Sequence, residues 1–272
     1  RMVPALPRSL DAAADRAGLL ARLGTGPLLI GLDFDGTLAP IVDRPEAAGI
    51  DGAMRSRLAT LAALVPTAVI SGRDLEDLGG RASVPGAILV GSHGIEIAYP
   101  DSGVERAPGL EQSDSELGTL IARLRKATAE LSGVLVEPKR HSVAVHWRLA
   151  GPDEEAAAER VVAEAAGSFP AFRIGRGKKV AEFRPAIERD KGSAIGLLRD
   201  HAAAGGTVPA VLYIGDDVTD EDAFRVLDPE TDAGILVADP PRTSAAGWCL
   251  PDTEAVAAFL DRLIEARRRL SP

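Results

Sequence analysis

A doubly wound parallel-sheet (Rossmann-like) α/β fold carrying a smaller inserted domain is predicted by three features of the chain. Alanine-rich helical stretches alternate with short Val/Ile/Leu runs, the pattern of strands buried on both faces of a sheet. Two of those runs, 28–32 and 211–214, lead into turns rich in glycine and aspartate, and the carboxyl ends of strands are where such sheets bind ligands. Between Pro108 and Pro185 the hydrophobic period changes, which marks a second domain set within the first.

In order along the chain, a helix over 9–23 with Ser9 as its cap leads into the strand 28–32. A helix near 53–64, a strand 67–70, a helix from Asp74 and a strand 87–90 follow, each strand a short apolar run. After Lys191 the alternation resumes with a helix 193–201, the strand 211–214, a helix from Asp220, a strand 234–237 and a last helix 253–269. Inside the break, a helix 113–131 is followed by alternating runs 134–139 and 141–148, and a helix 153–167 by runs 171–174 and 178–183. Helix, hairpin, helix, hairpin makes an αββαββ cap, an open-faced sheet with helices on one side. The implied boundaries are 1–108 with 186–272 for the core domain and 109–185 for the inserted cap.

Composition narrows the class. At 272 residues, 46% hydrophobic and 26% charged, the chain suits one large domain or two modest ones. A net charge of -9 argues against a nucleic-acid surface, and the arginines at 267–269 read as a solvated helix end. The single cysteine, Cys249, excludes an internal disulfide and suits a reducing compartment; beside Trp248 in an apolar stretch it reads as packed. No segment approaches the ~18 consecutive apolar residues that cross a bilayer. Residues 1–7 lack a signal-peptide apolar core, and Asp11 and Asp15 argue against a transit peptide. A cytoplasmic protein with no nucleic-acid, membrane or obligate protein partner is expected.

The chemistry begins at Asp33-Phe34-Asp35-Gly36-Thr37. Residues i and i+2 of a strand share a side, so Asp33 and Asp35 converge on one reacting centre if the strand ends there. Gly36 permits a sharp turn, and Thr37 adds a hydroxyl. A carboxylate attacks phosphorus competently once a divalent cation neutralises the phosphate, so Asp33 reads as a nucleophile and Asp35 as the acid and base beside it. An Asp-Gly turn after a strand would leave the same trace. A second acidic cluster, Asp216, Asp217, Asp220, Glu221 and Asp222, follows the strand 211–214 and needs a cation to offset its repulsion. Mg²⁺ fits, with Asp216, Asp33 and the main-chain carbonyl of Asp35 as ligands and Asp217 and Asp220 holding waters or neighbours. A helix start, where the dipole favours acidic groups, accounts for Glu221 and Asp222 but not for the whole cluster.

Two more segments complete a phosphate site. Ser71-Gly72-Arg73, after the strand 67–70, offers a hydroxyl and main-chain N–H groups at a helix start. Asp190-Lys191-Gly192 opens another helix, where the Lys191 ammonium can neutralise both a phosphoryl group and Asp33. This ordered set resembles the four motifs of the haloacid dehalogenase superfamily of phosphohydrolases over residues 28–224. The finer detail, Gly91-Ser92-His93-Gly94-Ile95-Glu96, Glu137-x-Lys139, His146-x-Arg148, Glu182-Phe-Arg184-Pro185 and Gly-Asp-Asp-x-Thr-Asp-Glu-Asp from Gly215, is similar to the trehalose-6-phosphate phosphatases.

That resemblance implies Mg²⁺-dependent hydrolysis of trehalose 6-phosphate, the last step of trehalose biosynthesis, through an aspartyl phosphate on Asp33. It also implies a cap that grips the disaccharide, with Glu137, Lys139 and Glu182 on sugar hydroxyls, His146 and Arg148 supporting that strand pair, and Gly36, Thr37, Gly72, Arg73 and His93 as core-side contacts. An ordinary cross-strand charge pair with Glu182 is the alternative for Glu137 and Lys139, and a tight turn the alternative for His93. Trp147 and Tyr99 read as packing residues. Sucrose-phosphate and mannosylglycerate-phosphate phosphatases and phosphomannomutases share the core and cap type. A catalytically silent sugar-phosphate sensor would have lost Asp33 or Asp35, and both are present.

Overall fold

A computed structural model of the chain describes residues 4–42 and 47–269. The chain divides into two compact units, one drawn from both ends of the sequence, up to Glu105 and from Arg189, the other formed by Arg106–Glu188.

The first unit is built on a nine-stranded sheet, and its centre is the predicted one. Strand β2 (Leu28–Asp33) is buried along its whole length and pairs in parallel with β3 (Thr67–Ile70) on one side and β11 (Ala210–Gly215) on the other. Strand β4 (Ile88–Gly91) continues beyond β3, and β12 (Ala233–Val237) beyond β11, all parallel. The continuous apolar run of β2 splits by the period of two: Leu28, Ile30 and Leu32 enter one core cluster and Leu29 the other. Leu212 and Ile214 of β11 join the first cluster, and Val211 and Tyr213 the second.

Helices α1 (Ala13–Gly24), α2 (Gly52–Leu64), α3 (Leu75–Ala82) and α8 (Thr253–Arg268) supply the first cluster. Helices α6 (Lys191–Ala203) and α7 (Glu221–Val226) supply the second. Aspartate caps fix several of these starts: Asp51, Asp74, Asp190 and Asp252 each accept a hydrogen bond from a main-chain N–H three residues on.

The sheet's outer strands depart from expectation. Ser9 does not cap a helix: it lies in β1 (Arg8–Ser9), which pairs in parallel with β13 (Trp248–Leu250), and α1 starts only at Ala13. Main-chain bonds from Arg8 to Gly247 and from Leu10 to Cys249 hold that segment extended, so a tertiary ladder outweighs the local cap signal. At the other side the sheet ends with β5 (Glu96–Tyr99), antiparallel to β4, and β6 (Gly103–Arg106). Arg267 is not merely solvated either. Its Nη1 donates to the carbonyls of Leu23, Gly24 and Gly26 at 3.1, 3.2 and 2.9 Å, satisfying acceptors that the end of α1 leaves open. Cys249 is buried, as expected.

The second unit carries a four-stranded antiparallel sheet in the order β7 (Leu135–Pro138), β8 (Val143–His146), β10 (Val180–Pro185), β9 (Phe172–Gly177). Helices α4 (Leu110–Thr128) and α5 (Pro152–Ser168) cover one face, where Leu117, Leu120, Leu124, Ala158 and Val162 pack with Val143, Val145, Ala181 and Phe183. Trp147 belongs to this core. Alternation therefore assigns Glu137, Ala144, His146, Glu182 and Arg184 to the opposite face. Arg148 lies past the end of β8, exposed in a turn, because the ladder stops at His146.

Gly91 ends β4 against the start of α3, where an added Cβ would lie 2.6 Å from the Leu75 main-chain nitrogen. That neighbour is backbone and cannot swing away. Gly91→Ala is expected to destabilise the fold by about 1–3 kcal/mol, measured by urea denaturation.

Candidate active site

Strands β2 and β11 are neighbours in the sheet although the chain runs from one to the other through every intervening element, so a crevice opens at their carboxyl ends. Register sets Leu32 opposite Ile214, which brings Asp33 beside the turn that starts at Gly215. Lys191, the first residue of α6, reaches into it. Its Nζ donates to Asp33 Oδ1 and to Asp220 Oδ1, both at 2.6 Å, with the lysine and both aspartates buried. A helix N-terminus disfavours a cation, so this lysine depends on its two carboxylates. Burial opposes its charge, but Asp33 and Asp220 more than offset that and hold it protonated.

The carboxylates crowd one another. Burial pushes the Asp33 carboxyl well above its usual range against the pull of Lys191, and Asp220 and Asp216 add to the rise. Burial, and then Asp220, raise Asp216 to about 6. Carboxylate oxygens of Asp33, Asp216 and Asp220 lie within 4.8 Å of one another, and Asp216 Oδ1 is buried without a hydrogen-bond partner among the described residues. An all-oxygen cluster with an orphaned carboxylate oxygen fits a hard divalent cation. Gly36 is required here: its φ is +82°, and a Cβ would fall on the Asp216 carboxylate. Thr37 is fully buried beside this turn.

Asp220 is the hub behind the crevice. Besides Lys191 it accepts from the Tyr213 hydroxyl at 2.6 Å and from the Asp217 main-chain N–H at 2.9 Å. Asp217 itself is exposed. Tyr213, fully buried on β11, was not among the predicted site residues, since a tyrosine in an apolar strand reads as core.

A second group surrounds Asp35. Arg73 grips it through two parallel bonds, Nε to Oδ2 and Nη2 to Oδ1, each 2.7 Å, while its Nη1 donates to Asp77 at 2.7 Å. Ser71 is buried, and its Oγ accepts from the Arg73 main-chain N–H at 3.1 Å. The neighbouring Ser92–His93 turn braces this loop: His93 N–H donates to the Ser71 carbonyl and Ser92 N–H to the Arg73 carbonyl, at 2.9 and 2.7 Å. Both turn residues are left-handed, with φ of 50° and 57°, and the His93 ring packs over Gly72, where a Cβ would be 2.6 Å from Nε2.

In the second unit, Lys139 and Ser142 donate to Glu182 Oε1 at 2.9 Å, Arg184 holds Oε2, and His146 Nε2 lies 2.8 Å from Glu137. A charge pair with Glu182, the alternative reading, is thus formed by Lys139, while Glu137 pairs with His146 instead.

Glu221 needs correction. The helix dipole alone was expected to account for it, but its side chain is buried, accepting from Arg242 Nη1 at 2.7 Å and from the Ala245 main-chain N–H at 2.8 Å. Asp222, half-buried and paired with Arg225, remains a residue of the first turn of α7.

A family model described as Trehalose-phosphatase matches residues 31–252. The trehalose-phosphate phosphatase of Mycobacterium tuberculosis is 38% identical over 277 aligned residues, which cover 98% of this chain and 68% of that protein. The structure of Aspergillus fumigatus trehalose-6-phosphate phosphatase superimposes with a TM-score of 0.68 at 26% identity, covering 96% of this chain and 99% of that one. The C-terminal domain of the C. albicans trehalose-6-phosphate phosphatase shares the fold, with a TM-score of 0.72 at 22% identity and coverage of 96% and 99%.

Burial alone would raise the Glu182 carboxyl, but Lys139 and Arg184 bring it down to about 2. In an unfolded chain a glutamate titrates near ~4.3, so the folded state binds fewer protons in between. The stability this carboxylate contributes is complete above ~4.3 and is lost as pH falls towards about 2. Glu182→Gln is therefore expected to destabilise the chain near neutrality, and the difference from wild type to close in that acid window, followed by denaturant unfolding at stepped pH.

Proposed function

Because the chain belongs to the trehalose-phosphatase family, we propose that it hydrolyses trehalose 6-phosphate to trehalose and inorganic phosphate with Asp33 as the nucleophile. The observation that carries this reading is the buried bridge of Lys191 to Asp33 and Asp220 beside the orphaned Asp216 oxygen. Structural ion pairs seldom leave a carboxylate oxygen buried and unused.

Asp33, the Asp35 carbonyl and Asp216 are the residues that would hold Mg²⁺, with Asp217 and Asp220 behind them. When bound, the ion neutralises phosphate charge and relieves the carboxylate crowding. The chain's own groups do the rest. Asp33 forms a bond to phosphorus as the bond from phosphorus to the sugar oxygen breaks, and the Asp35 carboxyl gives its proton to that departing oxygen. Lys191 and Ser71 offset charge on the equatorial phosphoryl oxygens. Asp35, now ionised, takes a proton from water, which attacks phosphorus and frees Asp33. Arg73 holds Asp35 by both oxygens in its ionised form, the form that activates water.

Residues 109–185 are read as the specificity element, or cap. Glu137, Lys139 and Glu182 hydrogen-bond sugar hydroxyls, the His146 ring steadies Glu137, and Gly36, Thr37, Gly72 and His93 shape the phosphate side. Sugar hydroxyls would replace partners these charged groups already hold, so a sugar lacking them leaves the set self-paired. A cytoplasmic setting suits the buried single cysteine. Among the described residues no helix is long and apolar enough to cross a membrane.

Phosphate release from trehalose 6-phosphate, sucrose 6-phosphate and glucose 6-phosphate, with and without chelator, tests this reading. Trehalose 6-phosphate is expected to be turned over at least about tenfold faster than the others, and chelation to stop it. Release from another sugar first would reassign the substrate, and no release would favour a silent sensor. Asp33→Asn is expected to lose at least about 10³-fold in turnover with folding intact. Asp35→Asn is expected to slow both steps and to accumulate phosphoenzyme if its formation outpaces its breakdown, read by rapid-quench labelling.

A further inference from the structure

The loop that carries Asp216 and Asp217 is short, acidic and open to self-repulsion. Its main chain is held from outside by Arg242, on the connection between β12 and β13. One Arg242 nitrogen, Nη2, donates to the Asp217 carbonyl at 2.9 Å and to the Asp216 carbonyl at 3.3 Å, while the other, Nη1, is seated on Glu221 at 2.7 Å. Glu221 is anchored in turn by the Ala245 main-chain N–H, so the guanidinium is fixed at both ends. We infer that Arg242 is a positioning residue for the divalent cation: through the carbonyls it holds, it sets the Asp216 carboxylate where an ion can use it. This inference rests on the reading above that Asp216 binds Mg²⁺.

The sign of the effect separates positioning from charge. By Coulomb's law alone, a guanidinium near a cation site weakens cation binding, and removing it would also leave Glu221 as an extra negative charge. Charge therefore predicts tighter Mg²⁺ binding when Arg242 is replaced by neutral glutamine, and unchanged binding when it is replaced by lysine. Positioning predicts weaker binding, because the ligand turn loses the clamp that opposes its own repulsion. Lysine cannot substitute, since a single ammonium nitrogen cannot span a carboxylate on one side and two carbonyls on the other.

The experiment titrates Mg²⁺ alone into the full chain by calorimetry, comparing wild type with Arg242→Lys, Arg242→Gln and, as reference, Asp216→Asn. Melting in chelator checks that each variant folds. Both Arg242 variants are expected to bind Mg²⁺ at least fivefold more weakly. Their Mg²⁺ requirement for half-maximal phosphate release is expected to rise more than their rate at saturating Mg²⁺ falls. If Arg242→Gln does not fold, Arg242→Lys, which keeps the charge but cannot span both sides, carries the test with the same expectation. Binding less than fivefold weaker than wild type, or tighter, in a folded variant overturns the inference. A wild-type chain that does not bind Mg²⁺, or an Asp216→Asn variant that binds it undiminished, overturns the underlying metal assignment as well, and those two samples alone reveal it.

Discussion

The structure turns on one buried ammonium. Lys191 sits at the start of α6, where the helix dipole disfavours it, and is secured there by Asp33 and Asp220. Ionised groups buried in this way contribute little to net stability, because the loss of hydration offsets their attraction. Their arrangement makes sense as chemistry. The proposed nucleophile must be ionised, and Lys191 favours the charged form of Asp33 against burial and the neighbouring carboxylates.

The fold serves that arrangement by distributing its parts over distant segments. Asp33 ends β2, Asp216 follows β11, and Lys191 opens the helix packed over both, so a strand order that reverses beside β2 is sufficient to bring them together. Around this centre a ring of supports removes freedom from the candidate site's side chains. Tyr213 and the Asp217 main-chain N–H hold Asp220, Arg73 holds Asp35, and the left-handed Ser92–His93 turn holds the Ser71 loop. Side chains fixed by such partners lose less entropy when a substrate arrives.

Much of this was legible before any coordinates. The β2 and β11 runs are apolar, buried on both faces and followed at once by carboxylates, so both strand and site announce themselves in one stretch. Helix starts at Asp74 and Asp190 were visible through their caps or flanking motifs. The misses share a physical cause, which is partnership across long sequence separation. Ser9 looks like a cap but is claimed by a three-residue strand, Trp248–Leu250, too short to stand out. Glu221 looks like a dipole residue until Arg242 arrives from the next loop, and nothing local distinguishes that arginine from a solvated one. Tyr213 has the pattern of a core residue and is one, yet its hydroxyl serves the site.

The pairing of β1 with β13 bears on how the molecule is made. The two segments are separated in sequence by all the elements from α1 to β12, and neither is long enough to persist by itself. During synthesis β1 must therefore wait, unpaired, until Trp248–Leu250 has left the ribosome. Closing so large a loop for so few contacts is entropically late, which makes this edge a natural last step of folding and the first place for the sheet to fray.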